Sequence, residues 1–186
     1  MKDRKWFAVG TLALGLAGVQ SAAALDFSVG PFGSYYDSDD AGDAWGGGVM
    51  GRLGIFEWLA VDARGSYLDF NDSNIEMIPL EAAVTLRLPL MNKKLVPYAG
   101  VGVGYYLFDD EFDEDTDFED VDDGAGFFPL VGIELRFGSN NQWAVFAEAR
   151  WLFLSSDIDG AVDELVNIDD AKLDGLGVNL GLVYRF

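Results

Sequence analysis

Residues 177–186 read GVNLGLVYRF. Val178, Leu180, Leu182, Tyr184 and Phe186 are large and apolar. Asn179, Gly181, Val183 and Arg185, which alternate with them, are mostly small or polar. A period of two is the pattern of a β-strand with one greasy face. In a soluble domain such a strand at a chain end frays unless something covers it. The remainder of the sequence shows what the cover is.

The other end points to a compartment. MKDRKWFAVGTLALGLAGVQSAAALDF opens with Lys2, Arg4 and Lys5, continues through an apolar stretch from Trp6 to Val19, and closes on Ser21-Ala22-Ala23-Ala24. Basic start, short apolar core and small-residue exit form a secretory signal with cleavage after Ala24. The apolar stretch is short for a membrane anchor, which needs about 20 residues. The expected organisation is therefore a signal peptide over residues 1–24 and a single domain over 25–186.

Composition removes several function classes. The chain holds no Cys, hence no disulfide framework and no thiol chemistry, and no His. Its formal charge is −20, which repels nucleic-acid phosphate. Yet half of it is hydrophobic, unlike a disordered acidic chain. After residue 24 no apolar run is long enough for a transmembrane helix, so any membrane crossing must be made by strands.

Eight alternating segments follow. They are expected at about Asp26–Tyr36, Ala44–Gly54, Leu59–Phe70, Ile75–Leu88, Leu95–Phe108, Gly126–Phe137, Trp143–Leu154 and Leu173–Phe186. A tilted strand crosses a bilayer in about 9–11 residues. Three connections are short, at Ile55–Trp58, Pro89–Lys94 and Gly138–Gln142. Four are polar and acidic, at Asp37–Asp43, Asn71–Asn74, Asp109–Gly124 and Ser155–Lys172. Short turns at one end and long loops at the other are the plan of an eight-stranded antiparallel up-and-down transmembrane β-barrel. Lipid then covers the greasy face of the last strand, and pairing with the first strand removes its free edge.

The polar faces carry a second pattern. After the signal every arginine falls on them: Arg52, Arg64, Arg87, Arg136, Arg150 and Arg185. Arg52, Arg87, Arg136 and Arg185 stand near the short-turn ends and are expected to form a ring at one height. Arg64 and Arg150 lie deeper, beside Asp62 and Glu148, while Glu81 and Glu134 supply further acids. Charges removed from water must be paired. An eight-stranded barrel has room inside only for side chains. The expectation is a lumen plugged by an arginine–carboxylate network. Toward the long loops the same faces turn apolar, with Phe32, Tyr36, Leu68, Phe70, Tyr106, Phe108, Phe128, Leu130, Leu152 and Leu154, a candidate apolar lumen that either fills the barrel or takes an apolar ligand.

With these patterns the chain resembles the small eight-stranded outer-membrane barrels, in particular the membrane domain of outer membrane protein A and its short single-domain relatives. The resemblance rests on the signal, the loop plan and the terminal Tyr184-Arg185-Phe186. It implies that Val178, Leu180, Leu182, Tyr184 and Phe186 are the signal read by the barrel-assembly machinery, after handling by periplasmic chaperones. It further implies an outer-membrane location among lipid and lipopolysaccharide, as a monomer. Aromatic residues near the strand ends, including Phe56, Trp58, Phe137 and Trp143 at one interface and Tyr35, Trp45, Tyr67, Tyr105 and Trp151 at the other, suit the two headgroup girdles.

Barrel enzymes of this size class use a histidine base, and this chain has none, so no enzymatic activity is expected. The loop DDEFDEDTDFEDVDD, Asp109–Asp123, concentrates carboxylates. Asp113, Asp115 and Asp117 could give a weak divalent cation site for Ca²⁺ or Mg²⁺ without the ordered geometry of an EF-hand. No resident cofactor is expected. Two roles remain: a closed barrel serving envelope integrity or surface interaction through its acidic loops, or a narrow porin-like channel or carrier for small ions or small hydrophobic molecules.

Overall fold

The computed structural model describes residues 26–38, 42–71, 75–110, 124–155 and 174–186. The chain forms eight strands: β1 Asp26–Ser38, β2 Gly42–Phe56, β3 Leu59–Phe70, β4 Ile75–Arg87, β5 Leu95–Asp110, β6 Gly124–Phe137, β7 Trp143–Ser155 and β8 Gly175–Arg185. Each is antiparallel to its sequence neighbour, and β8 returns to β1 to close the barrel. Closure runs from Ser28 opposite Arg185 to Ser38 opposite Gly175, and the Phe186 amide donates to the Phe27 carbonyl at 2.9 Å. The question raised by GVNLGLVYRF is resolved by that pairing.

Several strands run further toward the long loops than the apolar alternation does. β1 and β2 remain paired through Asp37 opposite Asp43 and Ser38 opposite Gly42. Backbone pairing needs no apolar side chain, so hairpins outlast the greasy face. At the other end the turns are tight. Met91, Asn92 and Lys93 are all left-handed (φ 48°, 55° and 66°) inside a loop clamped by mutual hydrogen bonds between Leu90 and Leu95.

Three prolines mark the gaps in the ladder. The β1–β8, β3–β4 and β6–β7 registers each skip two pairs, at the positions of Pro31, Pro79 and Pro129. A proline has no N–H to give to its neighbour.

Side chains sort by parity. Leu180 (61% exposed), Val101, Leu86, Leu135 and Trp151 face outward. On the inward faces two apolar clusters are buried. One contains Tyr36, Leu68, Phe70, Met77, Tyr106, Phe128, Leu130 and Leu152, with Leu154 packed against it. The other contains Phe32, Met50, Ala144, Phe146 and Val183. Large inward rings lie over glycines on an adjacent strand. A Cβ at Gly132 would come within 2.3 Å of the Tyr98 ring, and one at Gly102 within 2.3 Å of Phe128. Leaving out the side chain makes the room that a narrow barrel otherwise lacks.

Candidate functional site

The site is the lumen itself. Register brings opposite charges face to face: Arg52 of β2 stands opposite Asp62 of β3, and Arg64 of β3 opposite Glu81 of β4. Arg52 grips Asp62 with two parallel bonds, Nε to Oδ1 at 2.6 Å and Nη2 to Oδ2 at 2.7 Å. Its Nη1 crosses the lumen to Glu134 of β6 at 2.8 Å. Glu134 also accepts from Arg87 Nη2 at 2.7 Å and Arg136 Nε at 2.5 Å. Three guanidinium groups from three strands therefore meet on one carboxylate.

A second tier lies toward the long loops. Arg64 bonds Glu148 of β7, and its Nη2 lies 3.5 Å from Asp62, which links the tiers. Arg150 bonds Glu81 across the barrel. Two tyrosine hydroxyls donate into this tier, Tyr106 to Glu81 at 3.0 Å and Tyr98 to Glu148 at 3.2 Å. Asn179 Nδ2 donates to Glu148 at 3.4 Å. The Phe128 ring has the guanidinium carbons of Arg64 and Arg150 at 5.9 and 5.7 Å from its centroid. The nine charged side chains of the two tiers are at most 5% exposed. At that burial a charge is tolerated only when it is paired, and each of the nine has a partner of opposite sign, although Arg64 Nε, Arg87 Nε, Arg150 Nε and Arg150 Nη2 are buried without a hydrogen bond.

Arg185 departs from the expected ring of four. It pairs with Asp26 of β1 and donates to the Asn141 carbonyl at 3.0 Å, at the short-turn mouth. The next inward residue on β8 is Val183, part of the second apolar cluster, so Arg185 has no polar path to Glu134. The inner half of the lumen is thus not uniformly charged. Its ions occupy β2, β3, β4, β6 and β7, while Phe32, Met50, Phe146 and Val183 fill the β1–β8 side.

Of the expected apolar lining, Phe32, Tyr36, Leu68, Phe70, Tyr106, Phe128, Leu130 and Leu152 are buried inward. Phe32 belongs to the inner cluster, and Tyr106 anchors Glu81 as well as lining the lumen. The Phe108 side chain, the acidic loop with Asp113, Asp115 and Asp117, and the signal segment lie outside the described residues. Among the described residues no group of three acidic, His or Cys side chains could hold a metal ion.

Sequence reading passed over Tyr98, Asn179, Asp26 and Phe146. Strand parity alone puts Tyr98 and Phe146 on inward faces. Their partners come from strands distant in sequence: Tyr98 with Glu148, and Phe146 with Phe32 at 6.5 Å between ring centroids.

A closed barrel with an outward apolar band, its closing strand ending in Tyr184 edge-on to Phe186 and Phe186 stacked on Phe27, has the form of an envelope protein. Residues 9–186 match the outer membrane protein beta-barrel domain. The chain belongs to that family. It is an outer-membrane β-barrel protein, and the short turns are therefore periplasmic and the long loops extracellular. Among curated relatives it is similar to outer membrane protein AlkL of Ectopseudomonas oleovorans, 29% identical over 94 residues. That match spans 50% of this chain and 40% of the relative. Solved structures share the fold at low identity. OprG from Pseudomonas aeruginosa matches with a TM-score of 0.60 at 15% identity, covering 90% of this chain and 99% of that one. Neisserial surface protein A gives 0.59 at 12% identity, covering 90% and 100%. AlkL in lipid bilayers gives 0.54 at 16% identity, covering 90% and 94%.

Proposed function

We propose that this outer-membrane barrel is a non-enzymatic, closed anchor that supports envelope integrity or surface contacts through its acidic extracellular loops. One observation carries the reading: ion pairs reach across the lumen, from β2 to β6 through Arg52 and Glu134, from β3 to β7 through Arg64 and Glu148, and from β4 to β7 through Glu81 and Arg150. A solute moving along the axis would have to separate several buried pairs at once. Each broken pair leaves an uncompensated charge, which is costly. The lumen carboxylates are held by arginines, and the chain has no His or Cys to serve as base or nucleophile, which supports the non-enzymatic role.

On this reading the work is done outside. Asp113, Asp115 and Asp117 hold Ca²⁺ or Mg²⁺ weakly and bridge the loop to lipopolysaccharide phosphates. Val178, Leu180, Leu182, Tyr184 and Phe186 serve the barrel-assembly machinery, and the folded protein is a monomer in lipid. A second reading, a narrow channel or a carrier of small hydrophobic molecules, draws on the apolar cluster of Leu68, Phe70, Phe128 and Leu152 toward the extracellular end.

Single-channel recording of the refolded protein in planar bilayers separates the two. Silence, with conductance appearing on truncation of Arg52 or Glu134, is expected of the closed anchor. Steady conductance in the native protein would overturn it. Deleting residues 111–123 should abolish cation-dependent binding to lipopolysaccharide and leave the barrel folded.

A further inference from the structure

The lumen charges do not balance, and the excess has an address. Among the described residues, Arg52, Arg64, Arg87, Arg136 and Arg150 are buried against Asp62, Glu81, Glu134 and Glu148. The outer tier is even, with Arg64 and Arg150 on Glu148 and Glu81. The inner tier is not: Arg52, Arg87 and Arg136 share Asp62 and Glu134. One positive charge is left over. Arginine cannot remove it by losing a proton. A buried charge without a counter-charge is strongly disfavoured.

Donors are left over in both tiers; in the balanced outer tier Arg64 Nε, Arg150 Nε and Arg150 Nη2 are buried with no hydrogen-bond partner, so the inner tier is set apart by its charge together with its donors. Each guanidinium nitrogen of Arg52 has a carboxylate partner, Nε and Nη2 on Asp62 and Nη1 on Glu134. Arg87 uses only Nη2, and its Nε is buried with no partner. Arg136 uses only Nε, and neither of its Nη groups bonds a described residue. Both arginines stand at the periplasmic rim. Arg87 ends β4 and its amide donates to the Trp58 carbonyl at 2.9 Å; the Arg136 amide donates to the Lys94 carbonyl at 2.7 Å. Two guanidinium groups with unspent donors thus flank Glu134 at the mouth, in a tier that is one negative charge short.

We propose that the periplasmic mouth of the lumen binds a small monovalent anion between Arg87 and Arg136. The anion supplies the missing charge and takes the free N–H donors, since guanidinium forks are built for small anions. The site is independent of whatever the extracellular loops bind. Lys93, although nearby in the turn after β4, is engaged with Glu57 at the surface and is not part of the site.

The test is the thermal unfolding midpoint of the full refolded protein in detergent micelles. Sodium gluconate is replaced by sodium chloride at constant ionic strength. A ligand that binds only the folded state raises the midpoint saturably. The native protein should show a saturable rise with chloride. Arg136→Gln and Arg87→Gln each make the inner tier neutral and should lose that rise. Lys93→Gln should keep it. Glu134→Gln, where it folds, adds a further positive charge and should strengthen the response. Crystals grown in bromide should show an anomalous peak between Arg87 and Arg136. Equal chloride responses in the native protein, Arg136→Gln and Arg87→Gln would overturn the proposal, as would bromide crystals without a peak there.

Discussion

The two tiers of ions and the apolar cluster outside them occupy one lumen but are held together differently. The inner tier hangs on Glu134, where Arg52, Arg87 and Arg136 converge. The outer cluster of Leu68, Phe70, Phe128, Leu130 and Leu152 spreads its contacts over many side chains. Removing one ion from the first leaves its partners charged, buried and unmatched. Removing one side chain from the second leaves a hole that neighbours partly close. The first region is therefore brittle and its residues are coupled. The second is tolerant, and its residues act more independently.

The largest effect should come from Glu134→Leu. It leaves Arg87 and Arg136 without their carboxylate and strips Arg52 of one of its two, and breaking even a single buried pair costs about 3–5 kcal/mol. Guanidinium unfolding followed by the gel mobility of folded and unfolded forms would measure it, and a loss under ~1 kcal/mol would show that the ions do not carry the inner lumen.

Coupling is the sharper test. Arg52→Met and Asp62→Leu should each destabilise strongly, whereas the double variant should recover much of the loss, because apolar replacement of both partners is often neutral. A purely additive double variant would erase the distinction between the regions. In the outer cluster Leu152→Ala should cost about 2–5 kcal/mol by cavity formation, without producing conductance. Gly132→Ala probes the space under Tyr98, where a Cβ would lie 2.3 Å from the ring. Overpacking there should cost about 1–3 kcal/mol. The smallest effect belongs to Lys93→Ala in the periplasmic turn. Its pair with Glu57 is 54% and 71% exposed at the two side chains. Such a pair is worth about 0–1 kcal/mol, and the unfolding midpoint should hardly move.

Much of this was legible without coordinates. The expected strand Leu59–Phe70 is β3 as found, and most other boundaries lie within two residues of those expected. Alternation identifies a strand and also its lipid face, because an apolar residue turned into an ion-filled lumen and a charge turned to lipid are both costly. The placement of arginines on the polar faces predicts that they enter the lumen. Arg185 shows where such reading stops. It has the same parity and the same nearness to a strand end as Arg136, yet it pairs with Asp26 at the mouth. What separates them is the apolar cluster above Arg185, whose members come from β1, β2, β7 and β8.

By itself, then, the sequence determined the eight-stranded barrel, the lipid or lumen face of the strand residues it singled out, and the charged character of the lumen. These follow from a local rule, the two-residue period of a strand at a boundary between lipid and a packed interior. Only the tertiary structure decided who meets whom: Glu134 with three arginines, Tyr98 with Glu148, and Phe128 beside Arg64 and Arg150. Those partners are set by register and by closure of β8 on β1, which bring together residues as far apart as Arg52 and Glu134. No local period carries that information. The one-charge imbalance at the periplasmic mouth could be seen only once the pairs had been assigned.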